Sequence, residues 1–292
     1  MTTSTISDCP NRETRGQNWI PLEANAGTAA GIPLNSLVAD SVVSIVHRGS
    51  NEVVITRSFD GGYTWSQDQY VSTDDAYASQ GPSAASDGVS AIHAIWWDFE
   101  GAPAGWYGFP FYRHSLDNGE TWGEIRSLSA GANTDYVDVW ADTNRVYAIY
   151  NDCRWGSPDF SIFLRCSHDQ GATWSEEIQL TDEIDPARRP DIYGDGDLVH
   201  MVWEEQHYPE YIWGVYYMLG VWYLPGDVDL SEEIDIGDLV YMVDWMFSGG
   251  PAPVAYDAAQ MDGSSSVDIA DLVYFVDYMF DDGPPPVGGP GL

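Results

Sequence analysis

Carboxylates, with a few hydroxyl and amide neighbours, are the groups of this chain best placed to do chemistry, and near the C-terminal end they recur in register. Asp227, Asp229, Ser231, Asp235 and Asp238 hold positions one, three, five, nine and twelve of a loop, and Gln260, Asp262, Ser264, Asp268 and Asp271 repeat that spacing 33 residues on. A hard divalent cation takes about six to eight oxygens, so the pattern points to two calcium loops, the second weaker because Gln260 replaces a charged first ligand. The same acids would also cap the helices that follow without any metal, since Asp near a helix start is favourable in itself.

A second set lies upstream. Trp97-Asp98, Asn151-Asp152 and Glu204-Glu205 each end the second strand of a repeated unit, and His47 and Arg48 hold the matching place in the first unit. Carboxylates converging at one rim are what glycoside hydrolysis requires, two of them flanking one bond. Asp98, Asp152, Glu204 and Glu205, with Arg188 nearby, are therefore the catalytic candidates, against the plainer reading of solvated loop acids. Trp96, Trp97, Trp106, Tyr107, Trp155 and Trp213 would suit sugar stacking at the same rim, although tryptophan also fills cores by alternation. His93 and His200 sit inside strand patterns as core residues, and the six histidines show no zinc spacing.

The elements that must hold these groups are announced by a recurring turn. Ser58-Phe-Asp60-Gly-Gly62-Tyr-Thr64-Trp65, Ser115-Leu-Asp117-Asn-Gly119-Glu-Thr121-Trp122 and Ser167-His-Asp169-Gln-Gly171-Ala-Thr173-Trp174 all fit S-x-D-x-G-x-T-W. Such a box closes a hairpin: the Asp carboxylate accepts backbone N–H groups, Gly turns left-handed and Trp packs beneath. The tryptophans are 57 and 52 residues apart, a period that predicts propeller blades of short alternating strands. The chain starts with an outer strand around Trp19 and ends the last blade, after Tyr211 to Met218, without one. Pairing the two would close a four-bladed ring; donating the first strand to a neighbour would instead link molecules.

The boxes and strand pattern resemble the Asp-box, or BNR-repeat, proteins of the sialidase-like superfamily over residues 15–220. The resemblance implies that the boxes are structural locks remote from any active site. It also implies that a sialidase site would need three Arg, a Tyr nucleophile with a Glu, and an acid/base Asp. The family's Arg-Ile-Pro triplet stands here as Gly31-Ile32-Pro33, and only Arg188-Arg189-Pro190 places an Arg near a matching Pro.

From Pro225 onward there are fourteen acidic residues and no basic one. Ile236 to Phe247 and Ile269 to Phe280 are a duplicated apolar helix, each after an acidic loop and each followed by Gly and Pro. The pair resembles a type I dockerin, a module that the resemblance implies would plug into a cohesin. The partner positions of that family hold Ile236, Gly237, Ile269 and Ala270, with Val243, Asp244, Val276 and Asp277 in the helices, which does not match an ordinary cohesin contact.

The sequence thus predicts an all-β, four-bladed propeller over residues 1–224, closed by its N-terminal strand, and a small helical calcium-loop unit over 225–292. With 46 acidic residues, 11 arginines, no lysine and a net charge of −35, the surface disfavours nucleic acid and anionic membranes and favours divalent cations. No stretch is long and apolar enough for membrane insertion. Cys153 and Cys166 are placed for a local disulfide or a buried thiol pair, with Cys9 left over. The expected function is a secreted or cell-surface, non-catalytic adaptor or structural protein binding an extracellular glycan or protein, with self-association or a cohesin-like partner through the tail. The alternatives are a sialidase-like glycoside hydrolase and a self-assembling filament subunit.

Overall fold

The computed structural model describes residues 35–39, 42–99, 108–129, 131, 133–154, 160–182, 185–209, 211–231, 233–264 and 266–287. Within them the chain forms four antiparallel sheets of three or four strands, then two α-helices. The first sheet is β1 (Asn35–Ala39), β2 (Val42–Arg48), β3 (Val53–Ser58) and β4 (Gln69–Tyr70). The second is β5 (Ser79–Ser86), β6 (Ile92–Asp98), β7 (Phe109–Ser115) and β8 (Arg126–Ser127). The third is β9 (Val137–Ala141), β10 (Val146–Asp152), β11 (Ser161–Ser167) and β12 (Ile178–Gln179), and the fourth is β13 (Ala187–Asp195), β14 (Leu198–His207) and β15 (Ile212–Val221).

First strands pack on one another in order, β1 on β5, β5 on β9 and β9 on β13, which gives a propeller-like arrangement. The strand expected around Trp19 lies outside the described residues, as do Gly31-Ile32-Pro33, Trp106, Tyr107 and Trp155.

Alternation explains how one strand serves two interfaces. In β10, Val146, Ala148 and Tyr150 face the second sheet while Tyr147 and Ile149 face the fourth. Both sides are apolar because both are covered, each such buried side chain contributing about 1.5–3 kcal/mol. A further core, with Val46, Ile55, Ile92 and Trp96, fills the space between the first and second sheets.

The three turns have one geometry. In the first, Ser58 Oγ donates to Asp60 Oδ1 at 2.8 Å, Gly62 N donates back to Ser58 Oγ at 2.7 Å, and Thr64 donates from N and Oγ1 to the Asp60 carboxylate at 2.8 and 2.6 Å. Ser115, Asp117, Gly119 and Thr121 repeat it, as do Ser167, Asp169, Gly171 and Thr173. The Thr64 and Thr173 bonds bring Asp60 and Asp169 down to about 2. Because these turns follow the third strand, they stand at the rim opposite the ends of β6, β10 and β14.

Arginines stitch neighbouring sheets at that turn rim. Arg57 donates to Asn118 O at 3.2 Å, Arg126 to Ala172 O, and Arg145 to Asp197 at 2.7 Å. At the centre, Asp138 of β9 joins three inner strands: Ser83 Oγ of β5 donates to one oxygen at 2.5 Å and Ile192 N of β13 to the other at 2.9 Å.

The tail helices α1 (Ile236–Val243) and α2 (Ile269–Phe280) share a core of Val228, Met242, Met261 and Phe275. One wider turn, Asp244–Ser248, extends α1 before Gly249 turns left-handed at φ 81°. Both helices start with a reciprocal capping box, Asp235 with Asp238 and Asp268 with Asp271, so the duplication seen in sequence extends to individual bonds. Cys153 and Cys166 are free thiols. Among the described residues no helix is long and apolar enough to cross a membrane.

Candidate active site

Asp98, Asp152, Glu204 and Glu205 do fall at one rim, where β6, β10 and β14 end beside the starts of β5, β9 and β13. Their surroundings differ sharply. Asp98 is buried and accepts from Ser79 Oγ at 2.5 Å. Asp152 is fully buried, with Arg154 at 2.9 Å and Ser129 Oγ at 3.1 Å on one oxygen. Burial raises Asp152 against those two partners.

Arg154 also holds Glu177 at 2.9 Å, and Tyr150 Oη donates to Glu177 at 2.5 Å. Burial would raise Glu177, but Arg154 and the Tyr150 hydroxyl outweigh it and bring the acid to about 2. Gly131 closes over this network, for a Cβ there would lie 2.9 Å from Asp152 Oδ2. Asp152 is a strut between the second and third sheets rather than a group open to substrate.

The fourth sheet is different. Period two along β14 puts Trp203, Glu205 and His207 on one face, and the register with β15 sets Tyr216 opposite Trp203. His207 Nδ1 is 2.6 Å from Asp185 Oδ2, its Nε2 meets Tyr216 Oη, and Asp185 Oδ1 accepts Tyr208 N at 3.0 Å. That backbone N–H, with His207 second, holds Asp185 below its ordinary value. Glu205 accepts from Trp203 Nε1 at 3.0 Å, and its carboxylate, the His207 ring and Asp185 place one polar atom each within 4.8 Å of one another. A tyrosine hydroxyl, an imidazole and one carboxylate thus stand in one hydrogen-bonded chain suited to proton transfer, with the Glu205 carboxylate beside it.

Two arginines lie at the same rim. Arg188 lies over the Phe160 ring at 4.1 Å, and Arg189 reaches Glu204 at 3.0 Å and the Tyr136 hydroxyl at 3.3 Å. A β-bulge between Arg188 and Asp191 presents them. The second sheet carries the same bulge between Gln80 and Ser83, and there Gly81 adopts φ 53° under Trp97. Arg189 adopts φ 53° too, a conformation that glycine takes freely and arginine does not.

Sequence reasoning named Glu204, Glu205 and Arg188 but missed Asp185, His207, Tyr216 and Arg189 as a group. The alternation Trp203, Glu205, His207 was the available signal. His93, by contrast, is the core histidine expected: it is fully buried, 2.7 Å from Tyr112 Oη, and burial lowers it to about 4. His200 sits half-buried on the other face of β14, bonded to Tyr217 Oη at 2.8 Å.

In the acidic loops, Asp227, Asp229 and Asp238 bring one carboxylate oxygen each within 4.8 Å of one another. Asp238 accepts from Val228 N at 2.6 Å and Asp235 N at 2.9 Å, and Asp271 accepts from Met261 N and Asp268 N, both at 2.8 Å. Ser231 and Ser264 Oγ donate to backbone oxygens, Asp235 and Asp268 are engaged as caps, and Asp262 accepts from Ser264 N. Gln260 is 3% exposed, and its Oε1 is buried without a hydrogen-bond partner.

No family model matches the chain, and no curated protein matches it. Among solved structures, a Penicillium chrysogenum α-L-arabinanase complexed with arabinobiose aligns at TM-score 0.48 and 16% identity, over 63% of this chain and 61% of that one. A Fusarium graminearum α-L-arabinofuranosidase with arabinobiose gives 0.46 and 17%, over 63% and 60%. A Streptococcus pneumoniae NanB sialidase gives 0.43 and 14%, over 58% and 27%. The chain therefore spans about three fifths of the first two proteins and about a quarter of the third. By their descriptions these three are an arabinanase, an arabinofuranosidase and a sialidase, so the expectation of a non-catalytic adaptor is corrected; the likeness itself is one of fold.

Proposed function

We propose that the chain is a glycoside hydrolase whose site lies at the rim of the fourth sheet. The observation that carries this reading is the Asp185–His207–Tyr216 chain with the Glu205 carboxylate within 4.8 Å of Asp185 and His207. In this reading Tyr216 attacks the anomeric carbon as its proton passes to His207, which Asp185 holds in orientation. Glu205 protonates the leaving oxygen and then activates the water that releases the sugar. Arg188 and Arg189 position substrate hydroxyl or acidic groups. Among the described residues the arginine trio of a sialidase is not assembled, so the reading is of glycoside hydrolysis in general.

The test is turnover of a panel of aryl glycosides, arabinan and sialyl conjugates by the purified chain. Glu205→Gln and Tyr216→Phe should each lower kcat at least about a hundredfold, the range that a lost acid, base or nucleophile gives. Absence of turnover on the whole panel, or full activity in both variants, would sink the proposal.

We also infer that the two acidic loops of a tail unit, residues 225–292, hold calcium in a protein that works outside the cell. Asp227, Asp229 and Asp238 would supply charge to the first ion, and the unpartnered Oε1 of Gln260 suits a ligand position in the second. Calorimetric titration with calcium should show tight binding that Asp238→Asn weakens; no heat in the wild type would remove this reading.

A further inference from the structure

The candidate site continues past its acid, imidazole and hydroxyl groups along β15. Strand register sets Gly214 opposite Glu205 and Ile212 opposite His207, so the site face of β15 carries Ile212, Gly214 and Tyr216. Gly214 leaves a slot in that row. A Cβ there would lie 3.0 Å from the Tyr216 ring and 3.5 Å from its hydroxyl. The slot therefore stands beside the two groups assigned to the reaction, Glu205 and Tyr216.

On the hairpin-tip side of the slot come Ile212 and Tyr211, 63% and 65% exposed. Tyr208 meets Tyr211 edge to face, with 4.9 Å between ring centroids and 88° between planes. The backbone under these rings is fixed: Tyr211 N donates to His207 O at 2.8 Å, Gln206 Nε2 to Tyr211 O at 3.3 Å, and Tyr208 N to Asp185 Oδ1 at 3.0 Å. Two of these anchors, His207 and Asp185, belong to the proton-transfer chain, so rings and chain are built as one piece. Tyr211 is also held at φ 57°, a left-handed conformation that glycine takes freely and a bulky residue does not. An exposed aromatic ring thus stands where the backbone favours glycine, the kind of strain that collects at ligand sites.

We propose that Tyr208 and Tyr211 form a stacking platform for a sugar ring next to the one held at Gly214, so that the substrate is an uncharged oligosaccharide or polysaccharide rather than a single sugar. The inference rests on the hydrolase site proposed above for the place of the first ring. A sugar offers C–H groups to an aromatic face and hydroxyls to carboxylates and amides, and both kinds of partner are present here. Charge favours a neutral chain. Glu204 neutralises Arg189 at 3.0 Å, Asp185 and Glu205 are acidic, and the protein as a whole carries −35.

The test is calorimetric titration of the full chain carrying Glu205→Gln, which keeps the sugars intact, with mono-, di- and tetrasaccharides of the arabinose, xylose and glucose series. In one series affinity should rise at least about fivefold from monosaccharide to tetrasaccharide, in the range that one aromatic contact supplies. Tyr211→Gly added to that chain should erase the rise. Glycine relieves the left-handed backbone, so an undiminished melting temperature should accompany the loss and separate it from misfolding. Tyr211→Phe should keep the rise, because the ring remains. A rise that survives Tyr211→Gly, equal affinity at every length, binding confined to oligogalacturonides, or no binding by this chain and the wild type alike overturns the proposal. Turnover of aryl glycosides decides separately whether the site hydrolyses. Cleavage without any length dependence in binding removes the platform and leaves the hydrolase, whereas length-dependent binding lost in Tyr211→Gly, without turnover, keeps the platform and removes the hydrolase.

Discussion

Single residues at the centre of the molecule set its response to pH. His93 is neutral in the folded protein down to about 4, whereas the unfolded chain takes up that proton near its ordinary 6.5. Between those values the unfolded state binds more protons, so stability falls as pH drops through this window, by up to about 3 kcal/mol, and is fully retained above it. Denaturant titrations at pH 7 and 4.5 should show the fall, and His93→Gln should flatten it. Asp138 works in the opposite sense. Burial, against the Ser83 and Ile192 bonds, raises it to about 6, so its contribution is present below its unfolded value of 3.8 and lost as pH rises through about 6. Asp138→Asn keeps an acceptor for Ile192 N and can donate to Ser83; it should raise the melting temperature by a few degrees at pH 8 and leave it little changed at pH 4.5. His93 was readable as a core residue because apolar neighbours alternate around it. Asp138 was not, since its partners belong to two other sheets.

At the level of elements, the hairpins were legible because S-x-D-x-G-x-T-W writes a local bond pattern into contiguous residues. The strut between the second and third sheets was not, because Asp152, Arg154, Ser129 and Glu177 meet only after two sheets pack. Removing the guanidinium would leave Asp152 buried and unpaired. Arg154→Met should therefore cost about 3 kcal/mol, in the range for breaking a buried pair, measured as a lower midpoint in urea. Turn glycines differ too, Gly171 in the third box and Gly196 in the turn between β13 and β14. Gly171 has φ 81° and lies directly against the Tyr112 ring, while Gly196 has φ 60° with open space around it. Both Ala variants are strained, but Gly171→Ala should lose clearly more stability than Gly196→Ala, whose cost should stay near about 1 kcal/mol. The reactive chain on β14 and β15 depends on strand register, which no local motif fixes. Hence Glu205 was found from its strand end, and its partners Asp185, His207 and Tyr216 were not.

Across the whole molecule, the sheets and the tail have separate hydrophobic cores. If the tail loops hold calcium, chelator should lower one calorimetric transition, that of the tail, more than the transition of the sheets. A single transition unmoved by chelator would count against calcium in the tail loops. The few cations are also unevenly used: Arg57, Arg126, Arg145 and Arg154 bind sheets together, whereas Arg188 and Arg189 stand at the rim, over Phe160 and against Glu204. The left-handed backbone of Arg189, at a bulge where the second sheet carries glycine, sets two selective pressures against each other. Arg189→Gly would relax the chain by about 1 kcal/mol and remove a guanidinium from the rim. A library bred for heat resistance alone should discard this arginine early, and one bred for turnover should keep it.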